Sequence, residues 1–346
     1  MTISRYPAQL QALYSDLLDR LQQAELQDLA AKEGAFATKK VKGRSFWYFR
    51  RWQDGKVLET YVGADTPELR ERIQAQAQEA ENAKAAAKAR RDLVRMLRSG
   101  GYPAPDARTG RLLDGLARAG LFRLRGVLVG THAFRCYAAM LGTRLPQQAA
   151  FTGDVDIAQF ETVSIAVNDR IDPAFEEALN QVERYTPLPS LRSRTAASRW
   201  RSADRSIEVE LLTPMVGRAS EGLRKLPALQ AHAQPLRYLD YLIHQTEPAA
   251  LLQGSGVLVN LPPPERFACH KLLVSSLRTG AARSKIGKDI EQAAALIEIL
   301  LEDRPDDLHQ AWSDLVARGP KWKTAAATGL KRLPEALREQ LRDLDG

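Results

Sequence analysis

The sequence predicts an α+β fold in which a mixed sheet with covering helices follows an N-terminal hairpin and a long helix and precedes a helical region. Three observations support this fold class. Short apolar runs that end in glycine or alternate with acids indicate strands between residues 126 and 212. Residues 66–97 contain no glycine and are rich in Ala, Glu, Gln, Lys and Arg. Beyond residue 264, apolar residues recur at helical spacing.

The chain divides into three predicted segments. Residues 1–98 hold an N-terminal helix, a hairpin and a long helical arm, 99–215 hold the core, and 216–346 form a mostly helical domain. The 346 residues, 44% of them hydrophobic, are enough for two or three domains. No apolar run approaches the roughly 18 residues of a membrane span, and a signal-peptide pattern is absent. We therefore expect a cytoplasmic protein with no membrane partner.

Two helices are predicted in the first segment. The earlier one lies within residues 4–33, and its apolar face is marked by leucines: Leu10, Leu13, Leu17, Leu18 and Leu21. The later one begins with the cap Thr66 and the first-position Pro67 and runs to Leu97, before Gly100-Gly101. Its length of about 30 residues corresponds to roughly 45 Å, which suits a spacer between the hairpin and the core.

A basic, aromatic hairpin is predicted between these helices. Residues 41–52 form one strand, Asp54-Gly55 the turn, and residues 56–63 the return strand. Cations lie among its aromatic residues: Lys42, Arg44, Arg50 and Arg51. Cations interleaved with aromatics can contact phosphates and stack on bases. The alternative, which the sequence leaves open, is that the aromatics cover the core of a small domain.

The net charge of +8 is concentrated in three groups of cations. The first surrounds the hairpin and the second lies on the long helix. The third group comprises Arg192, Arg194, Arg199, Arg201 and Arg205. Such groups favour a polyanionic partner, either a nucleic acid or the triphosphate of a nucleotide. For the second group, a solvated helix surface is the better explanation.

A strand that leads directly into a helix opens the core. Residues 126–130 are apolar and end in Gly130, Thr131 is a predicted N-cap, and the helix over residues 131–141 stops at Gly142. The N-terminus of a helix placed in this way can bind phosphate groups. His132 lies beside the turn, where a structural role is the alternative to contact with a ligand.

The next predicted strand carries two aspartates. Asp154 and Asp156 alternate with Val155 and Ile157, which puts both carboxylates on one face. Neighbouring carboxylates raise each other's pKa unless a cation lies between them, and Mg²⁺ or Mn²⁺ is the natural occupant. An ordinary solvated strand face is the alternative. The strand–glycine–helix step before it favours the metal site.

A further acidic strand is predicted over residues 206–212. Ile207, Val209 and Leu211 point to one side, and Glu208 and Glu210 point to the other. Either glutamate could complete a trio of carboxylates with the aspartate pair. The alternative is that both glutamates are ordinary exposed residues of the strand.

The C-terminal helices carry candidate phosphate-binding lysines. The helix after residues 262–264 has the apolar residues Phe267, Cys269, Leu272, Leu273 and Leu277. It places Lys271 and Arg278 on one side. The following helix has the apolar stripe Ile286, Ile290, Ala293, Ala294, Ile297 and Leu301, and another face with Lys285, Lys288 and Gln292. Lysines can hold phosphates as point charges. The alternative is surface charge, with Lys285 and Asp289 as an i,i+4 pair.

Other enzyme classes lack their motifs in this chain. The sequence contains no Walker A loop, dinucleotide-binding glycine pattern, HExxH helix or nucleophile motif of the Ser or Cys type. Cys136 and Cys269 have no metal-binding spacing and are expected to be buried thiols.

These residues resemble the signature of the polymerase-beta-type nucleotidyltransferase superfamily, and in particular an uncharacterised bacterial branch of nucleotidyltransferase-fold proteins. The resemblance is carried by residues 130–134, Tyr137, Gly142 and residues 152–158. Residues 209–214, residues 270–272 and Lys288-Asp289 also fit this branch. The likeness runs from about residue 42 to the C-terminus, and it implies a polymerase-beta-like core.

The resemblance implies an ATP-type nucleotide substrate and a role for each motif. Asp154, Asp156 and Glu210 would be the catalytic acids and the ligands of Mg²⁺ or Mn²⁺. The nucleotide triphosphate (NTP) would be held by Gly130, Thr131, Lys271 and Lys288, with Asp289 as an orienting acid. The reaction would move a nucleoside monophosphate to a hydroxyl or phosphate acceptor by two-metal catalysis, with release of pyrophosphate. The acceptor could be tRNA, another RNA, a protein or a small molecule.

Two departures from the superfamily pattern leave a second function open. The gap between Gly130 and Asp154 is longer than in the compact enzymes, and Glu210 stands where aspartate is commoner. The alternative function is a catalytically degenerate module that binds nucleic acid or a protein partner.

Overall fold

The computed structural model describes residues 3–28, 35–41, 44–53, 56–146, 153–161, 170–189, 196–215, 217 and 222–342. Within these residues the protein consists of a small antiparallel sheet, a mixed central sheet, a two-stranded sheet and helices that pack around them. The predicted α+β fold class is confirmed.

The N-terminal region forms two helices and a three-stranded sheet. Its elements are α1 (Ala8–Asp28), β1 (Ala35–Val41), β2 (Arg44–Gln53), β3 (Lys56–Ala64) and α2 (Pro67–Ser99). The strands are antiparallel in the order β1-β2-β3. The predicted hairpin corresponds to β2 and β3, and β1 was not predicted. The expected turn at Asp54-Gly55 and the cation Lys42 lie outside the described residues.

Helix α2 begins as the sequence predicts and ends at Ser99, two residues beyond the predicted Leu97. The Leu69 N–H donates to Thr66 Oγ1 at 3.3 Å, Pro67 is the first helical residue, and Gly100 is the C-cap. Near its C-terminal end, Leu93 and Leu97 are buried in a core that α1 shares. This end of the long helix is therefore packed against the rest of the protein.

The central region contains the mixed sheet. Its elements are α3 (Ala107–Arg118), β4 (Val127–Val129), α4 (Gly130–Met140), β5 (Asp154–Ala158), α5 (Phe175–Val182), β6 (Tyr185–Pro187), β7 (Arg199–Ser202), β8 (Glu208–Pro214), β9 (Arg224–Leu226), β10 (Ala231–Leu236) and α6 (Leu239–Leu242). Strand β5 lies between β4, which is antiparallel to it, and β8, which is parallel to it. The other edge of β8 pairs with β7 along its first half and with β10 along its second half. Strands β6 and β9 close the two branches.

One face of this sheet packs into the main hydrophobic core. Val155, Ile157, Val209 and Leu211 are fully buried, and Trp200 of β7 is 2% exposed. The side chains that alternate with them point to the opposite face. The predicted alternation in β5 and β8 is thus observed, and the acids of both strands share the face away from this core.

The C-terminal region begins with a separate two-stranded antiparallel sheet and is helical after it. Its elements are β11 (Glu247–Leu251), β12 (Val257–Leu261), α7 (Pro264–Leu277), α8 (Ile286–Asp303), α9 (Pro305–Val316), α10 (Pro320–Leu330) and α11 (Glu335–Arg342). Strands β9 and β10 belong to the central sheet, so the sheet extends past residue 215. The boundaries of the three predicted segments stay predictions.

Burial differs along the C-terminal helices. Leu277, the last residue of α7, is 43% exposed. Gln292 in α8 is fully buried. Cys136 and Cys269 are buried free thiols, as predicted, and burial raises the pKa of each to about 12. In the part of the chain that the structure describes, no helix is both long and apolar enough to cross a membrane.

Candidate active site

The step from β4 into α4 brings a helix N-terminus to the acidic strand. Gly130 has a φ of 68° and is the first residue of α4, while Val129 occupies the N-cap position without a side-chain cap. The expectation that Thr131 caps this helix is therefore wrong. The left-handed Gly130 turns the chain into the helix at once, so Thr131 lies in the first turn. Gly142, with a φ of 62°, ends the helix as predicted.

Gly130 lies against one of the two aspartates. A Cβ atom added at this position would be 2.4 Å from Asp156 Oδ2. Both the left-handed φ and this close approach require glycine. The first turn of α4, with its unsatisfied backbone N–H groups, is therefore adjacent to the Asp156 carboxylate.

The strand register aligns four carboxylates in two rows. Asp156 is opposite Glu210, and Asp154 is opposite Glu208, across the parallel pair β5 and β8. Directly opposed residues point to the same face of a sheet. We call this side the acidic face, defined by Asp154, Asp156, Glu208 and Glu210. The structure thus brings together acids that are more than fifty residues apart in sequence.

Burial, together with neighbouring acids, raises the pKa values of Asp156 and Glu210. Burial raises the pKa of Asp156 to about 6, and the Asp154 charge adds to this shift. Burial likewise raises the pKa of Glu210 to about 7, with a further contribution from Asp156. Both carboxylates are held in surroundings that penalise their charge, and a bound cation would relieve that penalty.

The partners of the two glutamates differ. Glu208 accepts hydrogen bonds from Arg199 Nη1 at 3.3 Å and from Arg201 Nη2 at 2.9 Å. Among the described residues, no hydrogen bond or ion pair to the Glu210 carboxylate is found. Glu208 is already neutralised by the arginines, so the geometry favours Glu210 as the acid that joins the aspartates.

The oxygen donors fit a hard divalent ion by their chemistry. Asp154, Asp156 and Glu210 supply carboxylates of the kind that Mg²⁺ and Mn²⁺ prefer. Within the described ranges, no group of three His, Cys, Asp or Glu side chains is already gathered closely enough to enclose an ion. Burial raises the pKa values of Asp156 and Glu210, and a cation held between the two carboxylates would favour their ionised forms.

The C-terminal helices place lysines towards the acidic face. The positive charges of Lys285 and Lys271 act on Asp156, against the effect of burial. Burial lowers the pKa of Lys288, as do the charges of Lys271 and Lys285, while Asp154 opposes this shift. Helices α7 and α8 therefore supply positive potential close to the two aspartates.

Lys271 is fixed by a buried ion pair. Its Nζ lies 2.8 Å from Asp289 Oδ1, and Arg278 Nε donates to the other carboxylate oxygen of Asp289. The side chain of Asp289 is only 2% exposed. The bonds of Asp289 that the structure shows lead to Lys271 and Arg278, and they do not support the alternative in which Asp289 forms an i,i+4 pair with Lys285. The two cations that the sequence placed on one side of α7 meet at one carboxylate.

His132 is buried and lies at a small cavity. Its side chain is 4% exposed and lines a small cavity together with Pro103, Pro105 and Leu252. This position supports the structural role that the sequence left open.

The sequence did not reveal the arginine-bearing strand β7. Arg199 is opposite Glu210 and Arg201 is opposite Glu208, so both arginines lie on the acidic face. The signal was present in the triplet Arg199-Trp200-Arg201, in which two cations flank a buried aromatic at strand spacing. The neighbouring Arg192 and Arg194 lie outside the described residues.

A mixed sheet with paired aspartates beside a helix that begins at glycine defines the class of nucleotidyltransferase-like α+β proteins. A family model described as Nucleotidyltransferase matches residues 107–317. Because this match covers more than half of the chain, the protein belongs to that nucleotidyltransferase family. A second model, described as a domain of unknown function, matches residues 7–71. The chain has no significant match among curated proteins or among solved structures.

Proposed function

We propose that the protein moves a nucleoside monophosphate from an NTP to a hydroxyl or phosphate acceptor and releases pyrophosphate. The observation that carries the proposal is that Asp156 lies opposite Glu210 and against the start of α4, with Asp154 two residues before it on the same face of β5. Family membership supports a nucleotide substrate in general terms. The details of the reaction rest on the geometry.

The acids of the site are suited to hold one or two divalent ions. Asp154, Asp156 and Glu210 would be the ligands, and Mg²⁺ or Mn²⁺ is the ion that fits three carboxylates. When bound, such an ion neutralises phosphoryl oxygens and supplies charge to the transition state. The raised pKa values of Asp156 and Glu210 support this assignment, because ionisation of either acid without a bound cation costs the folded protein free energy.

The triphosphate would bind at the start of α4. Backbone N–H groups of the first helical turn, including those of Gly130 and Thr131, lack intrahelical partners and form the positive end of the helix. Lys288 of α8 and Lys285, the residue just before α8, add positive charge, and the pair of Lys271 with Asp289 fixes a third ammonium group. Phosphoryl transfer depends mainly on such positioning and electrostatic stabilisation.

Label transfer tests the proposal. The protein is incubated with each α-³²P-labelled NTP and Mg²⁺, together with total cellular RNA or protein. We expect label to enter one acceptor fraction with the wild type, and we expect the transfer to fall at least 100-fold in Asp154→Asn and Asp156→Asn. Glu161→Gln is the matched control, because this exposed acid lies outside the acidic face and pairs with Arg224.

The roles of the two glutamates can be distinguished in the same assay. Glu210→Gln should reduce transfer far more than Glu208→Gln, because Glu208 is already bonded to arginines. Full transfer by both aspartate variants would contradict the proposal. Binding of Mg²⁺–NTP without any label transfer would favour the degenerate binding module.

A further inference from the structure

A pair of arginines borders the acidic face on the side opposite to α4. Arg199 and Arg201 project from β7, and we call them the arginine pair. Across the face, the order is the start of α4, then Asp156, then Glu210, then Arg199. The neighbouring row runs from Asp154 through Glu208 to Arg201. The acids are therefore flanked by a helix N-terminus on one side and by two guanidinium groups on the other.

The arginine pair retains exposed donors after binding Glu208. Arg199 uses one N–H group at 3.3 Å, and Arg201 uses two, at 3.2 and 2.9 Å. Each guanidinium group has five N–H donors. The side chains of Arg199 and Arg201 remain 46% and 41% exposed. The Glu208 contact holds both guanidinium groups on the acidic face and leaves donors accessible from solvent.

This order across the face matches the geometry of a transfer reaction. In an in-line displacement, the attacking and leaving oxygens lie on opposite sides of the transferred phosphorus. If the leaving pyrophosphate lies at the start of α4, the attacking group enters from the β7 side. Guanidinium groups recognise phosphate oxygens with paired hydrogen bonds, so a phosphate on the acceptor would meet matching donors there.

We propose that the arginine pair Arg199 and Arg201 binds a phosphate of the acceptor, and that the acceptor is a polynucleotide strand whose end reaches the acidic face. This inference rests on the proposed function, since it takes the acids as the reaction centre. The third cation group of the sequence, to which Arg199 and Arg201 belong, and the net charge of +8 favour a polyanion over an uncharged acceptor.

Binding of a labelled single-stranded RNA oligonucleotide, without nucleotide or Mg²⁺, tests the inference. The double variant Arg199→Gln/Arg201→Gln should bind at least about tenfold more weakly than the wild type. Its affinity should also depend less on salt, by about 0.7 in the log–log slope for each lost phosphate contact. Arg224→Gln is the matched control, because Arg224 also lies in the central sheet, is 40% exposed and pairs with a glutamate.

Competition arms identify the source of the phosphate. Unlabelled RNA should displace the probe at far lower concentration than AMP or inorganic phosphate does. If AMP competes as well as RNA does, the polynucleotide assignment is overturned in favour of a small phosphorylated acceptor. Equal RNA binding by the double variant and Arg224→Gln overturns the whole inference, as does an acceptor that proves to be an unphosphorylated protein.

Two controls keep the outcome interpretable. If the double variant does not fold, the single variant Arg199→Gln replaces it, because Arg199 makes the longer contact with Glu208. Thermal stabilisation by Mg²⁺–ATP is measured in parallel and should be unchanged in the arginine variants. Its absence in the wild type would contradict the proposed function, whereas unchanged RNA binding in the double variant contradicts the acceptor site alone.

Discussion

Asp156 shows how one side chain can link stability to cation binding. Its pKa is raised from 3.8 to about 6, chiefly by burial and then by Asp154, so ionisation of Asp156 costs the folded state free energy. The cost is absent below about pH 4 and grows as the pH rises through 6. Burial and Asp154 thus outweigh the opposing charges of Lys285 and Lys271, and the ionised form of Asp156 is disfavoured at this position.

Asp156→Asn should therefore raise the melting temperature in EDTA at pH 8 and leave it almost unchanged at pH 4. The expected rise in melting temperature is about 2–4 °C for each kcal/mol of ionisation cost that the substitution removes. Adding Mg²⁺ at pH 8 should stabilise the wild type and not the variant. Differential scanning fluorimetry at both pH values is the measurement, with Glu161→Gln as control. A variant that is less stable than the wild type in EDTA at pH 8 would contradict the ionisation cost assigned to Asp156.

Gly130 is required for two reasons: its backbone is left-handed, and it lies against Asp156. Gly130→Ala should destabilise the fold, because alanine in the left-handed region costs about 1–2 kcal/mol and its Cβ would collide with Asp156. Gly254→Ala is the control, since Gly254 also has a positive φ but its Cβ would meet nothing within 4 Å. Urea unfolding should show the larger loss for Gly130→Ala, together with weaker Mg²⁺–NTP binding. Equal losses would mean that the contact with Asp156 adds nothing.

At the scale of elements, α7 and α8 are held together by a buried charge cluster. Asp289 binds both Lys271 and Arg278, and its removal would leave two buried or half-buried cations without their acceptor. Asp289→Asn should lower the free energy of unfolding by about 3–5 kcal/mol, the usual cost of breaking a buried pair. Urea unfolding of this variant is compared with Asp92→Asn, which breaks an exposed i,i+3 pair with Arg95 and should cost below about 1 kcal/mol. Similar losses in both variants would show that the cluster does not stabilise the helix pair.

The elements differ in how far the sequence could predict them. The long helix α2, the helices α7 and α8, and the step from β4 to α4 have strong local signals in caps, glycines and apolar spacing. Strands β6, β10 and β11 were missed because each contains a proline (Pro187, Pro235 and Pro248), which argues against a strand. Strand β9 has only three residues, too few to show a period.

The choice between Glu208 and Glu210 shows a limit of a different kind. Both glutamates have the same spacing and the same chemistry in the sequence. In the structure they differ in their bonding partners, since Arg199 and Arg201 bond to Glu208. These arginines come from a separate strand, and no local pattern could assign the pairing. The candidate acids could thus be found from the sequence, whereas their distinct environments required the tertiary structure.

The whole molecule places positive charge on three sides of a negatively charged sheet face. The start of α4 lies against Asp156, the lysines of α7 and α8 act on both aspartates, and the arginine pair borders Glu210. Each of these contributions comes from a different part of the chain. The central claim is that the acids, the start of α4 and the lysines together bind a nucleotide triphosphate, in a way that requires both a divalent cation and the aspartates.

Isothermal titration calorimetry with a non-hydrolysable NTP analogue tests that claim most directly. The wild type and Glu161→Gln should bind the analogue in Mg²⁺ and lose at least about tenfold in affinity when Mg²⁺ is replaced by EDTA. The double variant Asp154→Asn/Asp156→Asn should bind weakly in both buffers, because it has lost the carboxylates through which the cation acts. Equal affinity of the wild type and the double variant in Mg²⁺ would contradict the account.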